Sequence, residues 1–436
     1  MSRISTIIWI VVMYILIISL GYFTAREDLY QLLILFGIAF AVYFIGVKQA
    51  HYFGAKQLIL IGLLLRVSML VMTPNLSDDY WRFIWDGRLL MGGENPYLFL
   101  PEAELDSPII EQLELNGEVF EKMNSRQYFT VYPPLAQVLY GMSSWFGWED
   151  ATSSVFALRM ILILFELALF QLLLKLLAWL KKPAHMLAWY AFNPLVIIEV
   201  CGNLHFEGVM LFFTLGAVWL WTRKKSFASP LAMGLGIATK LLPAMFIPLW
   251  FRMTKFPKAF LFAFITGLTA VATFAPFVSR ELIENMGSSV DLYFRSFEFN
   301  ASIYYLIREL GEWITGYNQI AFIGPVLSVI SLGIILWLSW RKRAAKNVFR
   351  TMLYCLSVYF TLTTTVHPWY IVSLVALAPL AGLRYPLIWS GLAILSYSHY
   401  QFGFEENYAL ISIEYIVLAV AVVRELRKLR PLQYSS

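Results

Sequence analysis

Two adjacent carboxylates, Asp78 and Asp79, follow the apolar stretch 57–73, which is long enough to cross a bilayer. They begin a segment, 77–87, in which aromatic and charged side chains are interleaved. Carboxylates are costly to place beside lipid unless they bind a cation or a hydrogen-bond donor, or act as a base. Partial shielding from water raises the pKa of a carboxylate toward values suited to removing a proton from a hydroxyl. The pair therefore predicts a base or a binding site at the membrane edge.

The same two residues also suit a local structural role. Aspartate is a favoured N-cap residue, and Tyr80, Phe83 and Ile84 recur at helical spacing directly after the pair. We therefore expect Asp78 or Asp79 to cap a helix that lies in the membrane interface. The two roles are compatible, because one acid can cap the helix while the other acts as a base or binds a ligand.

The composition indicates that lipid is the solvent of this chain. Its 436 residues are 59% hydrophobic, 17% aromatic and only 14% charged, whereas a soluble domain is about 45–50% apolar and about 25% charged. The polar residues are too few to cover a core of this size. This excludes a disordered chain, a coiled coil and a nucleic-acid-binding protein. The two cysteines, Cys201 and Cys355, lie in apolar runs and give no support to a disulfide scaffold.

Long apolar segments predict an all-α polytopic membrane protein with about twelve full spans. A spanning helix needs about 20 mostly apolar residues. The predicted spans are 4–22, 29–47, 57–73, 153–180, 185–201, 206–222, 258–278, 317–340, 350–366, 369–383, 385–400 and 407–424.

The stretch 227–251 is too short for two crossings, yet basic residues flank it at both ends. We expect Gly234, Gly236, Pro243 and Pro248 to break it into two half-helices that form a re-entrant hairpin. Such a shape is stable only where protein or a cavity covers the broken backbone.

The distribution of basic residues orients these spans. Cytoplasmic loops are enriched in Lys and Arg, and most of the 33 basic residues fall in inner loops when both termini are cytoplasmic. The large outer segment 74–152 is then acidic, and a second outer segment, 279–316, is mixed and rich in aromatic residues. We predict one membrane domain, 1–436, with three spans in 1–73, an outer cap made by the two outer segments, with interfacial helices in 74–152, and the remaining spans in 153–436.

The motifs of this chain resemble, in order, those of glycosyltransferases of the GT-C class, in particular bacterial polyprenyl-phosphate-mannose-dependent mannosyltransferases. Residues 78–97 are similar to that family's DD-x-x-R-Y-x-W-D-G-R … G-x-N-P-Y, and residues 132–137 to its Y-P-P-L-A-Q. Residues 193–208 resemble N-P-L … G-x-x-H-N-D. The runs 240–243 and 367–370 match two further motifs of the family.

Two positions depart from that pattern: Phe83 stands where the family has Tyr, and Phe206-Glu207 where it has Asn-Asp. The resemblance implies a GT-C-like bundle that moves a sugar, with mannose favoured, from a polyprenyl phosphate to an acceptor hydroxyl at the outer face with inversion. An Asp of the first outer loop is the general base in the family, a role that falls on Asp78 with Asp79 beside it. The leaving group is a lipid phosphate rather than a nucleotide, so we expect neither a divalent metal nor another cofactor. Substrate contacts are expected from matched residues, namely Arg82, Asp86, Tyr132, His205, Glu207, Lys240, His367, Trp369 and Tyr370.

Several of these residues have a structural alternative. His205 and Glu207 follow the fifth span and also suit an interfacial polar turn. Lys240, at the break between the half-helices, suits either support of a phosphate at a helix end or snorkelling toward the interface. His367, which begins a span beside two aromatic residues, suits a phosphate contact or an aromatic-belt anchor. The ring of Tyr132 suits stacking on a sugar as well as anchoring of the chain at the membrane interface.

Three charged residues, Arg66, Glu166 and Lys175, lie inside predicted spans. A charge in the membrane interior needs a partner. We expect these residues to pair with one another in a structural role.

A secondary transporter or a flippase of a lipid-linked sugar also fits broken helices and intramembrane charges. The chain shows no internal repeat, however, and its polar groups lie toward the outer edge. A polysaccharide polymerase or ligase also joins lipid-linked sugars, but those enzymes generally rely on a large late outer loop. We therefore expect an integral enzyme of the bacterial inner membrane. Its expected partners are a polyprenyl-phosphate sugar donor, a glycolipid or glycan acceptor and membrane lipid, without nucleic acid.

Overall fold

A computed structural model describes residues 3–148, 150–341, 347–401, 403 and 405–429. Every named element in these ranges is helical, which confirms the prediction of an all-α fold. Part of the basic sequence that we assigned to inner loops, 342–346 and Arg430, lies outside the described residues.

The α-helices are numbered in chain order. Those of the first half are α1 (Arg3–Tyr22), α2 (Leu29–Gln49), α3 (Ala55–Val67), α4 (Asp79–Met91), α5 (Pro108–Gln112), α6 (Glu118–Lys122), α7 (Pro134–Phe146), α8 (Ala151–Trp179), α9 (Ala188–Ala191), α10 (Pro194–Val196) and α11 (Glu207–Thr222). Those of the second half are α12 (Ala228–Thr239), α13 (Ile247–Met253), α14 (Phe256–Ala272), α15 (Arg280–Ser296), α16 (Ile303–Thr315), α17 (Ile320–Trp340), α18 (Val348–Leu362), α19 (Ile371–Ala381), α20 (Tyr385–Leu392), α21 (Ser398–Gln401) and α22 (Tyr408–Leu429).

Shorter helical pieces of other types join these elements. A π-helix occupies Ile197–Gly202. Single turns of 3-10 helix are formed by Ala50–Tyr52, Pro96–Leu98, Ala184–Leu187, Leu242–Phe246, Ala275–Phe277, Pro368–Tyr370 and Ala393–Tyr397.

Several helices are long and apolar enough to cross a membrane. Five in the described ranges meet that condition, namely Ile4–Tyr22, Leu29–Tyr52, Ala151–Trp179, Phe256–Phe277 and Ile320–Trp340. The pair Ala184–Ala191 and Pro194–Gly202, bent by 57°, makes a sixth if it forms one span. Other predicted spans fall on shorter helices, such as α3, which ends at Val67, and α18, which has 15 residues. The chain is a membrane protein, whereas the count of about twelve full spans remains a prediction.

The stretch predicted to hold two half-helices does contain a break, and both prolines lie at the starts of new helical pieces, but the two glycines do not break the helix. α12 runs without interruption through Gly234 and Gly236 and ends at Thr239. A Cβ at Gly234 would lie 2.5 Å from Thr269 Cβ of α14, so this glycine permits close packing and does not break the helix. The break falls at Lys240 and Leu241, and Pro243 is the second residue of the 3-10 turn that follows. The re-entrant hairpin itself remains a prediction.

The chain folds into two compact units. The first unit comprises Met1–Leu65, Leu173–Glu199 and Phe294–Ser436, and the second comprises Arg66–Leu172 and Val200–Tyr293. The second unit contains the acidic segment and every predicted site residue from 78 to 240. The prediction of a single membrane domain over 1–436 remains open.

In the first unit, α19 lies at the centre, because all of its residues are buried. Tyr43 of α2 donates a hydrogen bond to the carbonyl of Trp189 at 2.7 Å. Lys182 Nζ donates to the carbonyl of Leu380 at 2.7 Å, where a cation compensates the partial negative charge at the C-terminus of α19. These polar contacts fix the apolar helices in register.

In the second unit, α4 packs closely against α7. All residues from Tyr80 to Leu89 are buried. A Cβ at Gly87 would lie 2.5 Å from both the carbonyl oxygen of Tyr140 and the hydroxyl of Ser144 in α7. The glycine of the W-D-G-R sequence is therefore a packing requirement, since only the absence of a side chain allows this approach.

We expect Gly87→Ala to lower the thermal unfolding midpoint of the detergent-solubilised protein by several degrees, because overpacking costs about 1–3 kcal/mol. Size-exclusion chromatography after heating measures the midpoint. Gly267→Ala in α14 is the matched control: no atom lies within 4 Å of its added Cβ, so its midpoint should stay or rise. Equal midpoints for the two variants would contradict the close contact between α4 and α7.

Candidate active site

The acidic pair lies at the start of α4. Asp78 occupies the N-cap position and Asp79 the first helical position, where a carboxylate compensates the partial positive charge of the helix end. The expected N-cap position is confirmed, but the Asp78 side chain makes no hydrogen bond to the first turn. Asp79 Oδ1 accepts a hydrogen bond from Asn124 Nδ2 at 3.0 Å. Both carboxylates are half-buried.

Further along α4, Arg82 and Asp86 form a buried ion pair, with Nε and Oδ1 2.8 Å apart. Their side chains are 3% and 0% exposed. The other carboxylate oxygen of Asp86 accepts from Thr130 Oγ1 at 2.6 Å and from Gln137 Nε2 at 2.9 Å. Arg82 also donates to the carbonyl of Tyr128 at 2.7 Å. The pair therefore links α4 to Tyr128 and Thr130, which precede α7, and to Gln137 of α7 itself.

Tyr132 lies in an aromatic cluster beside this network. Its ring meets those of Phe83 and Tyr140 edge-on, with centroids 5.2 Å and 5.6 Å apart. Phe83 stacks on Tyr140 at 4.5 Å, and Phe206 approaches Tyr140 at 5.0 Å. The hydroxyl of Tyr97, from the N-P-Y sequence, donates to the carbonyl of Tyr132 at 2.8 Å. The cluster holds Tyr132 between the starts of α4 and α11.

Charged groups of α4 and α11 act on the Tyr132 hydroxyl. Desolvation raises the pKa of Tyr132 well above its ordinary value of 10.0, and the negative charges of Asp79, Asp86 and Glu207 raise the pKa further, while Arg82 lowers it. The phenol therefore stays protonated at neutral pH and can donate a hydrogen bond. Asp79 and Glu207 also interact electrostatically with each other, so the structure brings these predicted site residues together.

Glu207 and Lys240 form an ion pair that joins α11 to α12. Glu207 begins α11, and Lys240 directly follows the last residue of α12. Each charge thus compensates the partial charge of its own helix end. The Glu207 side chain is 2% exposed and that of Lys240 20%. The sequence placed both residues near substrate but gave no sign that they pair.

Arg159 of α8 organises the backbone on both sides of the site. It is fully buried and donates to three main-chain carbonyls: Cys201 at 2.6 Å, Gly202 at 3.1 Å and Leu70 at 2.9 Å. The first two lie at the end of the π-helix, just before His205 and Glu207, and the third precedes the acidic pair by eight residues. One guanidinium therefore joins the two segments that carry the predicted acids.

A second buried pair supports the same turn. Arg66 Nε and Glu166 Oε2 are 2.7 Å apart, and both side chains are inaccessible, which confirms the expected pairing of these two residues. A Cβ at Gly208 would lie 2.5 Å from Glu166 Oε1. The glycine after Glu207 therefore lets the start of α11 approach this pair.

The matched residues of the first unit form a separate stack. The ring of His367 lies parallel to that of Trp369 at 4.2 Å and stacks on Phe299 at 4.6 Å. The Tyr370 ring meets His367 edge-on at 5.4 Å. The structure thus groups His367, Trp369 and Tyr370 within this unit, and groups the other predicted site residues within the second unit.

Several buried polar atoms of the second unit suit a ligand with hydroxyl groups. Glu207 Oε2 and Gln137 Oε1 are buried and have no hydrogen-bond partner in the described part of the chain. Buried acceptors are normally satisfied, so these atoms are suited to receive a donor from a bound molecule. Within the same ranges, no group of three or more His, Cys, Asp or Glu side chains is placed to hold a metal ion.

Sequence reasoning missed four residues that shape the site: Asn124, Thr130, Gln137 and Arg159. The last of these carried a usable signal, because a lone Arg inside an apolar span requires partners. Gln137 stood within a matched motif but had no assigned role. Nothing in the sequence distinguishes Asn124 or Thr130 from other polar residues of the outer segment.

The family of alpha-(1->6)-mannopyranosyltransferases, through its N-terminal domain, matches residues 14–254, which is more than half of the chain. The chain belongs to this mannosyltransferase family. The match confirms the resemblance to GT-C mannosyltransferases and includes every predicted site residue from Asp78 to Lys240. No curated protein matches the chain. His367, Trp369 and Tyr370 of this mannosyltransferase lie beyond the matched region.

We expect Arg159→Lys to lower the unfolding midpoint of the mannosyltransferase by several degrees, because the single nitrogen of a lysine lacks the fork of three nitrogens that donates to these carbonyls. A buried carbonyl that loses its donor costs about 1–3 kcal/mol. Arg280→Lys is the control, since the Arg280 side chain is 87% exposed, and its midpoint should not change. An Arg159→Lys protein as stable as the control would show that the three bonds do not hold the turn.

A double-mutant cycle tests the pair of Glu207 and Lys240. Lys240→Met leaves a buried carboxylate without its cation, which costs about 3–5 kcal/mol, so we expect a marked fall in the unfolding midpoint. Glu207→Gln combined with Lys240→Met should recover most of the loss, because the charge is removed together with its partner. Strictly additive effects of the two substitutions would contradict the ion pair.

Proposed function

We propose that this mannosyltransferase moves mannose from a polyprenyl phosphate to an acceptor hydroxyl at the extracytoplasmic face of a bacterial inner membrane, with inversion at the anomeric carbon. The observation that supports it is the grouping of Asp79, Glu207 and Lys240, at the ends of α4, α11 and α12, with Tyr132, which lies just before α7. The group combines carboxylates, a phenol donor and a cation. A carboxylate can act as the base, and a cation can stabilise the charge that develops on the leaving phosphate.

In the proposed reaction, a carboxylate of the acidic pair removes the proton of the acceptor hydroxyl. The acceptor oxygen forms a bond to the anomeric carbon from the side opposite the phosphate. The bond between that carbon and the phosphate oxygen breaks, and polyprenyl phosphate leaves with the bonding electrons. We assign the base to Asp78, following the family resemblance, and contacts with the sugar hydroxyls to Asp79, whose carboxylate is oriented by Asn124.

Lys240 is the proposed cation for the leaving phosphate. A cation stabilises the charge that develops on the phosphate oxygen as the bond breaks. The ammonium group remains partly exposed while it pairs with Glu207, and its position next to the end of α12 is fixed by that pair. This arrangement assigns phosphate stabilisation to the protein itself, so the proposed reaction needs no divalent metal.

The sugar hydroxyls are the proposed partners of the unsatisfied acceptors. Glu207 Oε2 has no hydrogen-bond partner among the described residues and would accept from a mannose hydroxyl, while Tyr132 donates to a sugar oxygen. His205, two residues before Glu207, is proposed to contact the sugar or the acceptor. Because Arg82 and Asp86 are buried and pair with each other, we propose that they position α4 and Tyr132.

His367, Trp369 and Tyr370 are proposed substrate contacts of the first unit. The flat stack of His367 between Phe299 and Trp369 restricts rotation of the imidazole. A histidine held in this way offers a ring nitrogen in a fixed direction, which suits a phosphate oxygen or a sugar hydroxyl. The proposed acceptor is a glycolipid or a glycan.

The test is transfer of radiolabelled mannose from polyprenyl phosphate to a crude lipid and glycan extract, with the purified protein in proteoliposomes. We expect Asp78→Asn to lower kcat by about 10²–10⁴, the usual contribution of a general base, and Asp79→Asn chiefly to raise KM. Asp106→Asn is the matched control, because Asp106 is exposed in the same acidic segment. Its rate should equal that of the unchanged protein.

Three outcomes would contradict the assignment. A normal rate for both Asp78→Asn and Asp79→Asn would remove the acidic pair from the chemistry. A large loss of kcat for Asp79→Asn alone would indicate that Asp79 is the base and that Asp78 contacts the sugar. Movement of the donor lipid between leaflets without any labelled product would support the alternative function, a flippase of a lipid-linked sugar.

A further inference from the structure

Helix α16 turns an apolar stripe away from the protein. Leu306, Leu310, Trp313 and Ile314 are 74%, 57%, 84% and 68% exposed. Their spacing of three and four residues places them on one face of the helix. Large side chains at this exposure form a continuous apolar surface, which soluble proteins rarely leave in contact with water.

The opposite face of α16 packs into the first unit through aromatic rings whose surroundings include charged groups. Tyr304 is fully buried and Tyr305 is 4% exposed. The Arg308 side chain is 11% exposed and forms an ion pair with Glu298, and the Tyr304 hydroxyl donates to the same carboxylate at 2.6 Å. An amphipathic helix on a water-soluble protein turns its apolar stripe inward, whereas this stripe faces outward. The medium around the outer face of α16 is therefore apolar.

The stripe continues directly onto a membrane-spanning helix. α16 ends at Thr315, and the long apolar helix α17 begins at Ile320. Phe322 and Val329 of α17 are 68% and 69% exposed, as expected for side chains that face lipid. Tyr317, in the short connection between the helices, is 64% exposed, and tyrosine is enriched at the boundary between lipid and water.

We propose that α16 lies in the plane of the membrane interface, with its stripe of Leu306, Leu310, Trp313 and Ile314 inserted among the acyl chains of the bilayer. The partner of this surface is the lipid itself. Glu309 and Glu312, which flank the stripe and are 60% and 37% exposed, then lie at the level of the head groups. Burial of these apolar side chains in lipid is favourable, whereas their exposure to water is not.

The test uses nitroxide labels on the full chain in liposomes. Single cysteines are introduced by Leu306→Cys, Leu310→Cys and Trp313→Cys, with Glu309→Cys as the control on the flank of the same helix. The native Cys201 and Cys355 are buried, and the unsubstituted protein measures any label that they take up. Collisions with oxygen, which dissolves in lipid, are compared with collisions with a water-soluble nickel chelate.

We expect the three stripe positions to collide readily with oxygen and to collide with the chelate several-fold less often than the label at position 309. Equal chelate collisions at all four positions would place the stripe in water and overturn the proposal. Low collision rates with both reagents at the stripe would indicate a contact with protein, such as a second copy of the chain, and would also overturn it. These readouts do not depend on sugar transfer, so they stand apart from the test of the proposed function.

Discussion

The cost of burying a charge where lipid is the solvent organises the second unit. Two buried cations contact groups from segments that are distant in sequence: Arg159 donates to carbonyls of residues 70, 201 and 202, and Arg66 pairs with Glu166. Removing one partner would leave a charge in a medium that cannot solvate it. The segments are thus held in one arrangement by polar contacts, because contacts between apolar side chains alone are weakly directional. The acids of the candidate site lie on those same segments.

The ends of helices determine where the charges of the candidate site lie. Asp79 begins α4, Glu207 begins α11 and Lys240 follows α12, so every charge lies where the helix dipole favours its sign. Part of the stabilisation of such a charge comes from the helix end and not from hydrogen bonds to side chains. The Glu207 carboxylate shows this, because only one of its oxygens is engaged by Lys240 while the other has no hydrogen-bond partner in the described part of the chain. The site therefore combines fixed positions with unsatisfied acceptors, which is what a substrate rich in hydroxyl groups can use.

The sequence was sufficient for the helical class, the membrane setting, the family and the helix after the acidic pair, since these follow from composition, periodicity and ordered motifs. It was insufficient for the pairing of Glu207 with Lys240 and for the inward orientation of Arg82 and Asp86, because both depend on how distant segments meet. Gly234 and Gly236 were misread for a related reason. A glycine that breaks a helix and one that admits a neighbouring helix look alike in a single sequence, and only the positions of α11 and α14 distinguish them.

The two departures from the family pattern have a common structural explanation. Phe83 and Phe206 contact each other, with ring centroids 5.8 Å apart, and both pack on Tyr140. With Phe at both positions, neither side chain carries a polar group that needs a hydrogen-bond partner in the buried cluster. The floor beneath Tyr132 is aromatic as a result, and in the proposed function selection among sugar hydroxyls would fall to the charged groups at its edge, Asp79 and Glu207. Substitutions intended to change the sugar specificity of this scaffold should therefore be made first at Asp79 and Glu207 and only then in the aromatic floor.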